Sequence, residues 1–184
     1  MIVNEQIIHV IIIRQGAGQM RLFVAIRLSD ELKKEITGTM HELKKQGIKG
    51  SYVPSDNLHM TLAFIGETAE TEKVKAALAA AVWKPFRLSL SEIGNFDDIL
   101  WIGAKGNQGL SGAARSVREA LDSAGIDYDH QKFVPHITII RGVSGNWKKV
   151  KAPKNEMMVK SISLMKSELK DGRRIYTEIL SLPV

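Results

Sequence analysis

Two apolar segments of this sequence each contain a histidine that is followed two residues later by a threonine. DNLHMTLAFIGE at residues 56–67 carries His59 and Thr61, and FVPHITIIRG at residues 133–142 carries His136 and Thr138. Both segments are typical of strands, in which residues i and i+2 share one face. Each strand is therefore predicted to present an imidazole and a hydroxyl roughly 6–7 Å apart on one face. The opposite face of the first strand is predicted to pack toward the helices through Leu58, Met60, Leu62 and Phe64.

The other segments mix strands and helices without regular βαβ alternation. Periodicity and capping signals predict helices at residues 30–46, 71–82 and 110–124, with Val82 on the inward face of the second. Strands are predicted at residues 22–28, 58–65, 86–90, 99–103, 135–141, 159–169 and 174–180. Asp171–Gly172 is a strong hairpin signal between the last two. This order predicts an α+β fold with antiparallel pairing. The two histidine strands indicate a degenerate duplication, with two lobes whose polar faces meet across a groove.

Composition limits the possible classes of protein. The chain has 184 residues, a net charge of +6 and no cysteine, so disulfides and thiolate metal sites are excluded. No apolar run approaches the roughly 18–20 residues that a membrane span needs. The basic excess favours an anionic partner, although a solvated lysine-rich surface is equally compatible with it.

Residues 1–19 differ in character from the sequence that begins at Met20. The apolar run of residues 7–13 is short and lacks a preceding basic segment, so it is a poor secretory signal. It has the composition of an extra edge strand. The preferred hypothesis is that Met20 is the natural start and that residues 1–19 are an upstream-translated extension.

Two histidines and two threonines around one groove suit phosphoryl transfer by acid–base chemistry. A neutral imidazole takes a proton from the attacking oxygen, and a protonated imidazole donates one to the leaving oxygen. The threonine hydroxyls donate to non-bridging phosphate oxygens. Arg141 supplies a permanent charge for the same oxygens. Strict alternation places Arg141 on the opposite face from His136, so it needs the strand end or a bulge to reach the groove.

Metal binding is the rival role for these histidines, and a structural role is the usual one for an isolated histidine. No His–x–His pair, cysteine or acidic residue occupies a matched position in the two segments, so the pattern favours acid–base catalysis without a metal or other cofactor. His9, His41 and His130 have no counterpart and are interpreted as surface or structural residues.

The pair HMTL at 59–62 and HITI at 136–139 resembles the signature of the 2H phosphoesterases. The fuller strings NLHMTLAFIGE and FVPHITIIR, with MRLFVAIRLSDEL, ILWIGAKG and SISLMKSELKDGRRIYTEI, resemble the bacterial and archaeal RNA 2′,3′-cyclic phosphodiesterase branch, historically called 2′-5′ RNA ligases. The resemblance covers residues 20–184 and implies a single bilobal domain. It implies two pseudo-symmetric lobes, each an antiparallel sheet with helices on its outer face, which flank a central, positively charged groove.

The resemblance also implies an activity and a role for each site residue. The reaction is hydrolysis of an RNA-terminal 2′,3′-cyclic phosphate to a 2′-phosphate. His59 would be the proton donor and His136 the proton acceptor. Thr61, Thr138 and Arg141 would bind the phosphate. Ligation to a 2′-5′ bond is a side or reverse activity in which an RNA 5′-hydroxyl replaces water.

The expected partner is RNA with a 2′,3′-cyclic phosphate end, such as a tRNA fragment, acted on by a cytoplasmic monomer that does not bind membranes. Aromatic candidates for stacking the terminal base are Tyr52, Phe96, Trp101 and Phe133. Two alternatives stay open. One is a phosphodiesterase for a small nucleotide such as an ADP-ribose cyclic phosphate, and the other is a non-catalytic RNA-binding module.

Overall fold

Two antiparallel sheets form the frame of the protein. The computed structural model describes residues 18–184, and the predicted extension of residues 1–19 lies almost entirely outside them. The strands are β1 (Met20–Arg27), β2 (Lys49–Tyr52), β3 (His59–Thr68), β4 (Phe86–Phe96), β5 (Ile99–Ala104), β6 (His136–Ser144), β7 (Glu156–Val159), β8 (Ser161–Lys170) and β9 (Arg173–Pro183). The helices are α1 (Asp30–Lys45), α2 (Thr71–Leu78) and α3 (Gln108–Ser123), with short 3₁₀ turns at Ser55–Asn57 and Trp147–Lys149.

The two sheets have matching strand orders. The first sheet runs β3-β1-β8-β9 and the second runs β2-β6-β5-β4-β7. In both sheets the strand that carries the motif histidine has one equivalent partner: β3 pairs with β1, and β6 pairs with β5. Strand β2 is an addition at the edge of the second sheet. The predicted α+β fold with two pseudo-symmetric antiparallel lobes is confirmed.

Helix α1 follows the sequence prediction closely. The Ser29 hydroxyl accepts a hydrogen bond from the Leu32 amide at 3.3 Å, which caps the first turn. The predicted apolar stripe of Leu32, Ile36, Met40 and Leu43 is buried. The helix ends before Gly47, whose φ of +77° is readily adopted only by a residue without a side chain.

Helix α2 is shorter than predicted. The predicted end at residue 82 is wrong, because the backbone tightens after Leu78: the Ala80 amide bonds to the Ala77 carbonyl at 3.0 Å. Val82, predicted to face inward, is 81% exposed. The periodicity of small apolar residues therefore continues for one turn beyond the helix itself.

The predicted strand at residues 159–169 is divided between the two sheets. Glu156–Val159 pairs with β4 in the second sheet, whereas Ser161–Lys170 pairs with β1 in the first. The change takes place at Lys160. The predicted turn at Asp171–Gly172 is confirmed, since φ values of +50° and +73° are those of a type I′ hairpin.

A one-residue bulge interrupts β3 directly after Thr61. Ala25 of β1 lies opposite Thr61, but its neighbour Val24 lies opposite Ala63, so Leu62 is the extra residue. Leu62 and Ala63 are consequently both buried. After the bulge, the residues that alternation would place on one face of the strand lie on the other. The prediction that Phe64 packs toward the helices is therefore wrong, because Phe64 lies on the same face as His59 and Thr61.

The same bulge occurs at the equivalent place in β6. Trp101 of β5 lies opposite Thr138 and Leu100 lies opposite Ile140, which leaves Ile139 as the extra residue. Ile139 and Ile140 are both fully buried. Arg141 is thereby turned toward the face of His136, as the bulge hypothesis requires. The residue five positions after each histidine thus reaches the groove, as Phe64 in one lobe and Arg141 in the other.

We expect Leu62→Ala to lower the free energy of unfolding by about 2–5 kcal/mol, since it opens a cavity at a fully buried position. Val82→Ala is the control, because a change at this exposed side chain should stay within about 0.5 kcal/mol. Urea unfolding followed by circular dichroism measures both. Equal midpoints for the two variants would contradict the buried position of the bulge.

Candidate active site

His59 is anchored through its backbone-facing nitrogen. Its Nδ1–H donates to the carbonyl oxygen of Asn57 at 2.7 Å, because a carbonyl can only accept. In the neutral ring this leaves Nε2 as an acceptor, and Nε2 lies 3.1 Å from the Thr61 hydroxyl, which donates to it. The carbonyl therefore fixes both the tautomer and the orientation of the ring.

His136 has the same anchor in the second lobe. Its Nδ1–H donates to the carbonyl oxygen of Val134, also two residues earlier in the chain and also at 2.7 Å. The Nε2 atom is again the ring nitrogen that is not bonded to this backbone carbonyl. The duplication seen in the sequence therefore extends to the hydrogen bond that orients each imidazole.

The five predicted site residues line one groove. His59, Thr61, His136, Thr138 and Arg141 all border a space of about 660 Å³ between the two sheets. The residues that complete its wall are Arg21, Phe23, Phe64, Phe96, Ile99, Asp129, Ser167, Arg174 and Tyr176. The predicted meeting of the two polar strand faces across a groove is thus observed.

The charge of this groove is positive. Arg21, Arg141 and Arg174 line it, against the single carboxylate of Asp129. One oxygen of Asp129 accepts a hydrogen bond from the Gln131 amide at 3.0 Å. Within residues 18–184 no group of three or more metal-ligating side chains is placed to hold an ion. The wall is suited to an anion with several oxygens.

Aromatic rings enclose His59. The Phe23 ring centroid lies 4.8 Å and the Tyr176 centroid 5.1 Å from that of the imidazole. Burial lowers the pKa of His59, the hydrogen bond to the Asn57 carbonyl opposes this effect, and the neighbouring Arg141 and His136 lower the pKa further. In the free protein His59 is therefore more readily neutral than an ordinary histidine.

The rings beside His136 form a different wall. Phe96 meets its imidazole edge-on at 5.0 Å, and Trp101 lies behind at 6.2 Å. The Trp101 indole occupies the place where a side chain on Gly94 would stand. Of the predicted stacking candidates, Phe96 therefore borders the groove, whereas Trp101 packs against the backbone of β4.

The two other predicted stacking candidates lie elsewhere. Tyr52 donates its hydroxyl to the Ile48 carbonyl at 2.9 Å and packs against the core. Phe133 borders a small side pocket of about 130 Å³ that shares Thr61 and His136 with the groove. The aromatic residues that the sequence analysis missed are Phe23, Phe64 and Tyr176.

One side chain joins the two outer strands of the first sheet. The Asn57 Nδ2 donates to the Arg174 carbonyl at 2.8 Å, although Asn57 lies in the 3₁₀ turn before β3 and Arg174 lies at the start of β9. The sheet must curl strongly to bring these strand ends together. That curl brings Tyr176 and Arg174 over the histidine, and the carbonyl of the same Asn57 holds His59.

Arg118 links the bulge of the first lobe to the segment that leads into the second motif. Its Nε donates to the Leu62 carbonyl at 3.1 Å, and its Nη1 donates to the Gln131 carbonyl at 2.9 Å. The guanidinium stands 5.7 Å from the ring centroids of both Tyr128 and Phe133. Arg118 therefore connects the backbone after Thr61 to the loop before His136.

The remaining histidines agree with a surface interpretation where the structure describes them. His41 is exposed on α1, away from the groove. His130 pairs with Asp127 at 3.3 Å and stacks on Tyr128. His9 lies outside the described residues.

Comparison with known proteins identifies the family. Residues 25–171 match the family model described as the 2′-5′ RNA ligase superfamily. The chain belongs to this superfamily. A relative from Methanocaldococcus jannaschii named RNA 2′,3′-cyclic phosphodiesterase is 34% identical over 175 residues, which cover 87% of this chain and 98% of the relative. Curated relatives with this name identify the chain as an enzyme, a phosphodiesterase.

Solved structures agree with this assignment. The crystal structure of E. coli LigT in apo form has a TM-score of 0.77 to this chain and is 30% identical, covering 90% of this chain and 98% of LigT. LigT complexed with 3′-AMP has a TM-score of 0.76 at the same identity, covering 91% and 98%. No helix within residues 18–184 of this superfamily member is long and apolar enough to cross a membrane.

We expect an NMR titration to give His59 a pKa below the ordinary histidine value, because burial and the nearby Arg141 charge disfavour its charged form. Arg141→Gln removes this charge, so it should raise the His59 pKa while burial still holds it below the ordinary value. Arg115→Gln on the exposed face of α3 is the matched control and should leave the His59 pKa unchanged. A His59 pKa above the ordinary value, or one indifferent to Arg141, would contradict this electrostatic account.

Proposed function

We propose that this phosphodiesterase hydrolyses the 2′,3′-cyclic phosphate at the end of an RNA to a 2′-phosphate, without a metal ion, using His59 as proton donor and His136 as proton acceptor. The observation that carries the proposal is the duplicated anchor: each histidine is held through Nδ1 by a carbonyl two residues earlier, beside a threonine, on one groove. Two oriented Nε2 atoms are what acid–base catalysis at a phosphodiester requires.

The steps balance with these two side chains alone. The Nε2 of neutral His136 accepts a proton from water as the water oxygen attacks phosphorus. The bond from phosphorus to O3′ breaks, and the Nε2–H of protonated His59 donates its proton to the departing O3′. The product is a 3′-hydroxyl and a 2′-phosphate, and the histidines have exchanged protonation states.

Thr61, Thr138 and Arg141 are placed to bind the phosphate. Their side chains line the groove beside the two histidines. A hydroxyl donates to a non-bridging oxygen, and a guanidinium supplies a fixed positive charge where negative charge accumulates in the transition state. The bulge after Thr138 supports this role for Arg141, because it turns this arginine toward the groove.

The lowered pKa of His59 is compatible with a proton donor. A weakly held proton is transferred more readily to an alkoxide. A bound phosphodiester brings a negative charge that opposes the nearby Arg141 and favours protonated His59. Substrate binding would thus favour protonation of His59, the proton donor.

The name of the relatives and a bound mononucleotide support the substrate class. The curated relatives that match this chain are named for RNA 2′,3′-cyclic phosphates, and the LigT neighbour is complexed with 3′-AMP, a nucleotide with a phosphate on its ribose. RNA with such an end, tRNA fragments included, is the proposed partner. Ligation through a 5′-hydroxyl of a second RNA is proposed as a side or reverse activity of the same groove.

A small nucleotide such as an ADP-ribose cyclic phosphate would use the same four side chains. Salt separates the two substrates, because a protein that contacts several RNA phosphates loses affinity as salt rises, whereas a small ligand depends on salt weakly. A non-catalytic RNA-binding module would leave the duplicated histidine anchors without a use.

We expect a short RNA ending in a 2′,3′-cyclic phosphate to be converted to the 2′-phosphate in excess EDTA. His59→Ala and His136→Ala should each lower kcat by about 10²–10⁴-fold, since each removes one proton-transfer partner. His41→Ala and His130→Ala, away from the groove, are the matched controls and should retain full activity. Mass spectrometry and a 2′-specific phosphate assay identify the product. A 3′-phosphate product, or full activity in either groove variant, would refute the mechanism.

The pH profile tests the donor role of His59. Activity is lost as pH rises through the pKa of a proton donor, and kcat/KM reports this pKa in the free enzyme whereas kcat reports it in the complex. Because burial and Arg141 lower the His59 pKa in the free protein and the substrate anion opposes this effect, the alkaline limb of kcat should lie at higher pH than that of kcat/KM. Coinciding limbs would argue against His59 as the donor.

A further inference from the structure

Two arginines of the first sheet line the groove beside the histidines and threonines. Arg21 is on β1 and Arg174 on β9, and both border the same space as His59. Arg21 lies opposite Ser167 of β8, which in turn lies opposite Tyr176 of β9. The proposed chemistry at the phosphate uses neither arginine.

The charge of these arginines is only weakly neutralised within residues 18–184. The Arg174 Nη1 donates to the Ser167 hydroxyl at 3.4 Å and makes no ion pair with a carboxylate there. Arg21 lies 3.7 Å from Glu67, with both side chains well exposed, and its guanidinium sits 4.7 Å above the Phe64 ring. An exposed contact of this length contributes little, so both guanidiniums are available to an anion.

The proposed roles fix the direction of the bound RNA. His59 donates to the departing O3′, so the terminal ribose lies against the lobe that carries His59. An RNA chain that runs 5′ from that ribose along the same lobe would pass the two arginines of this lobe. Arg21 and Arg174 belong to this lobe, on the curled face that also carries Tyr176 and Phe64.

The spacing fits a phosphate other than the one that reacts. Ala25 lies opposite Thr61, and Arg21 is four residues further along β1 on the same face. At about 3.3 Å per residue, its backbone is about 13 Å from the row of Thr61. A phosphate bound there is a phosphodiester upstream of the reacting end.

We propose that Arg21 and Arg174 form a subsite for the phosphodiester groups immediately 5′ of the terminal nucleotide, so that the enzyme recognises an RNA chain rather than a free nucleotide. The inference rests on the proposed function, because that function sets the direction of the RNA. The subsite extends the proposed function, because it would distinguish RNA from a small cyclic nucleotide. Arginine suits the task, since its planar fork bonds two phosphate oxygens at once.

The test compares two ligands that differ only in charge. One is a trinucleotide ending in a 2′-phosphate, and the other is the same trinucleotide with both phosphodiester linkages replaced by neutral methylphosphonates. Dissociation constants are measured at fixed ionic strength for the parent protein, Arg21→Gln and Arg174→Gln. Arg173→Gln is the matched control, because it makes the same change one residue along β9, on the opposite face.

We expect the charged trinucleotide to bind the parent at least about 10-fold more tightly than the neutral one, as charge-assisted hydrogen bonds to phosphate predict. This ratio should fall by several-fold in Arg21→Gln and in Arg174→Gln and stay unchanged in Arg173→Gln. A ratio near one in the parent would overturn the subsite. So would an equal fall in Arg173→Gln, since it would reveal only the general positive field.

Turnover separates this inference from the proposed function. Hydrolysis of a cyclic-phosphate mononucleotide by the parent, with a binding ratio near one, would overturn the subsite alone. Absence of hydrolysis of any cyclic phosphate end would overturn the proposed function, and the binding ratio would still decide for or against the two arginines. Urea midpoints of the variants verify that each is folded.

Discussion

The one-residue bulge that follows each His–x–Thr motif is the constraint on which the groove depends. Core packing demands two consecutive buried residues at this point, Leu62 and Ala63 in one strand and their counterparts in the other. A strand without a bulge would expose one of them, at a cost of about 1.5–3 kcal/mol for a large aliphatic side chain. The bulge allows both consecutive residues to be buried, and as a consequence it turns the residue after them toward the groove.

The two lobes differ in the side chains that surround their histidines. The residue that each bulge delivers is Phe64 in one lobe and Arg141 in the other. Phe23 and Tyr176 surround His59 and lower its pKa by burial, whereas His136 stands at the more open wall beside Phe96. Two copies of one backbone arrangement thus place their imidazoles in unlike environments, as the proposed donor and acceptor roles require.

Backbone carbonyls and a few long-range side-chain hydrogen bonds hold the two histidine motifs in position. Asn57 orients His59 with its carbonyl and joins the curled edges of the first sheet with its amide. Arg118 ties the bulge of β3 to the loop that leads into His136. Because the Asn57 amide reaches Arg174 and the Arg118 Nε reaches Leu62, two bonds between residues distant in sequence, the spacing of the two motifs is a property of the folded chain.

The sequence by itself determined several elements and the chemical pattern: the capped helix α1, the hairpin at Asp171–Gly172, and the five residues that meet in the groove. These follow from local periodicity, turn chemistry and a repeated motif, which act over a few residues. It could not place Phe64, because a bulge is set by the packing of two sheets and leaves no local mark. Nor could it find Arg174 and Tyr176, which reach His59 only because the first sheet curls. Strand alternation is a local rule, whereas curvature and register are decided by the tertiary contacts that the whole core makes.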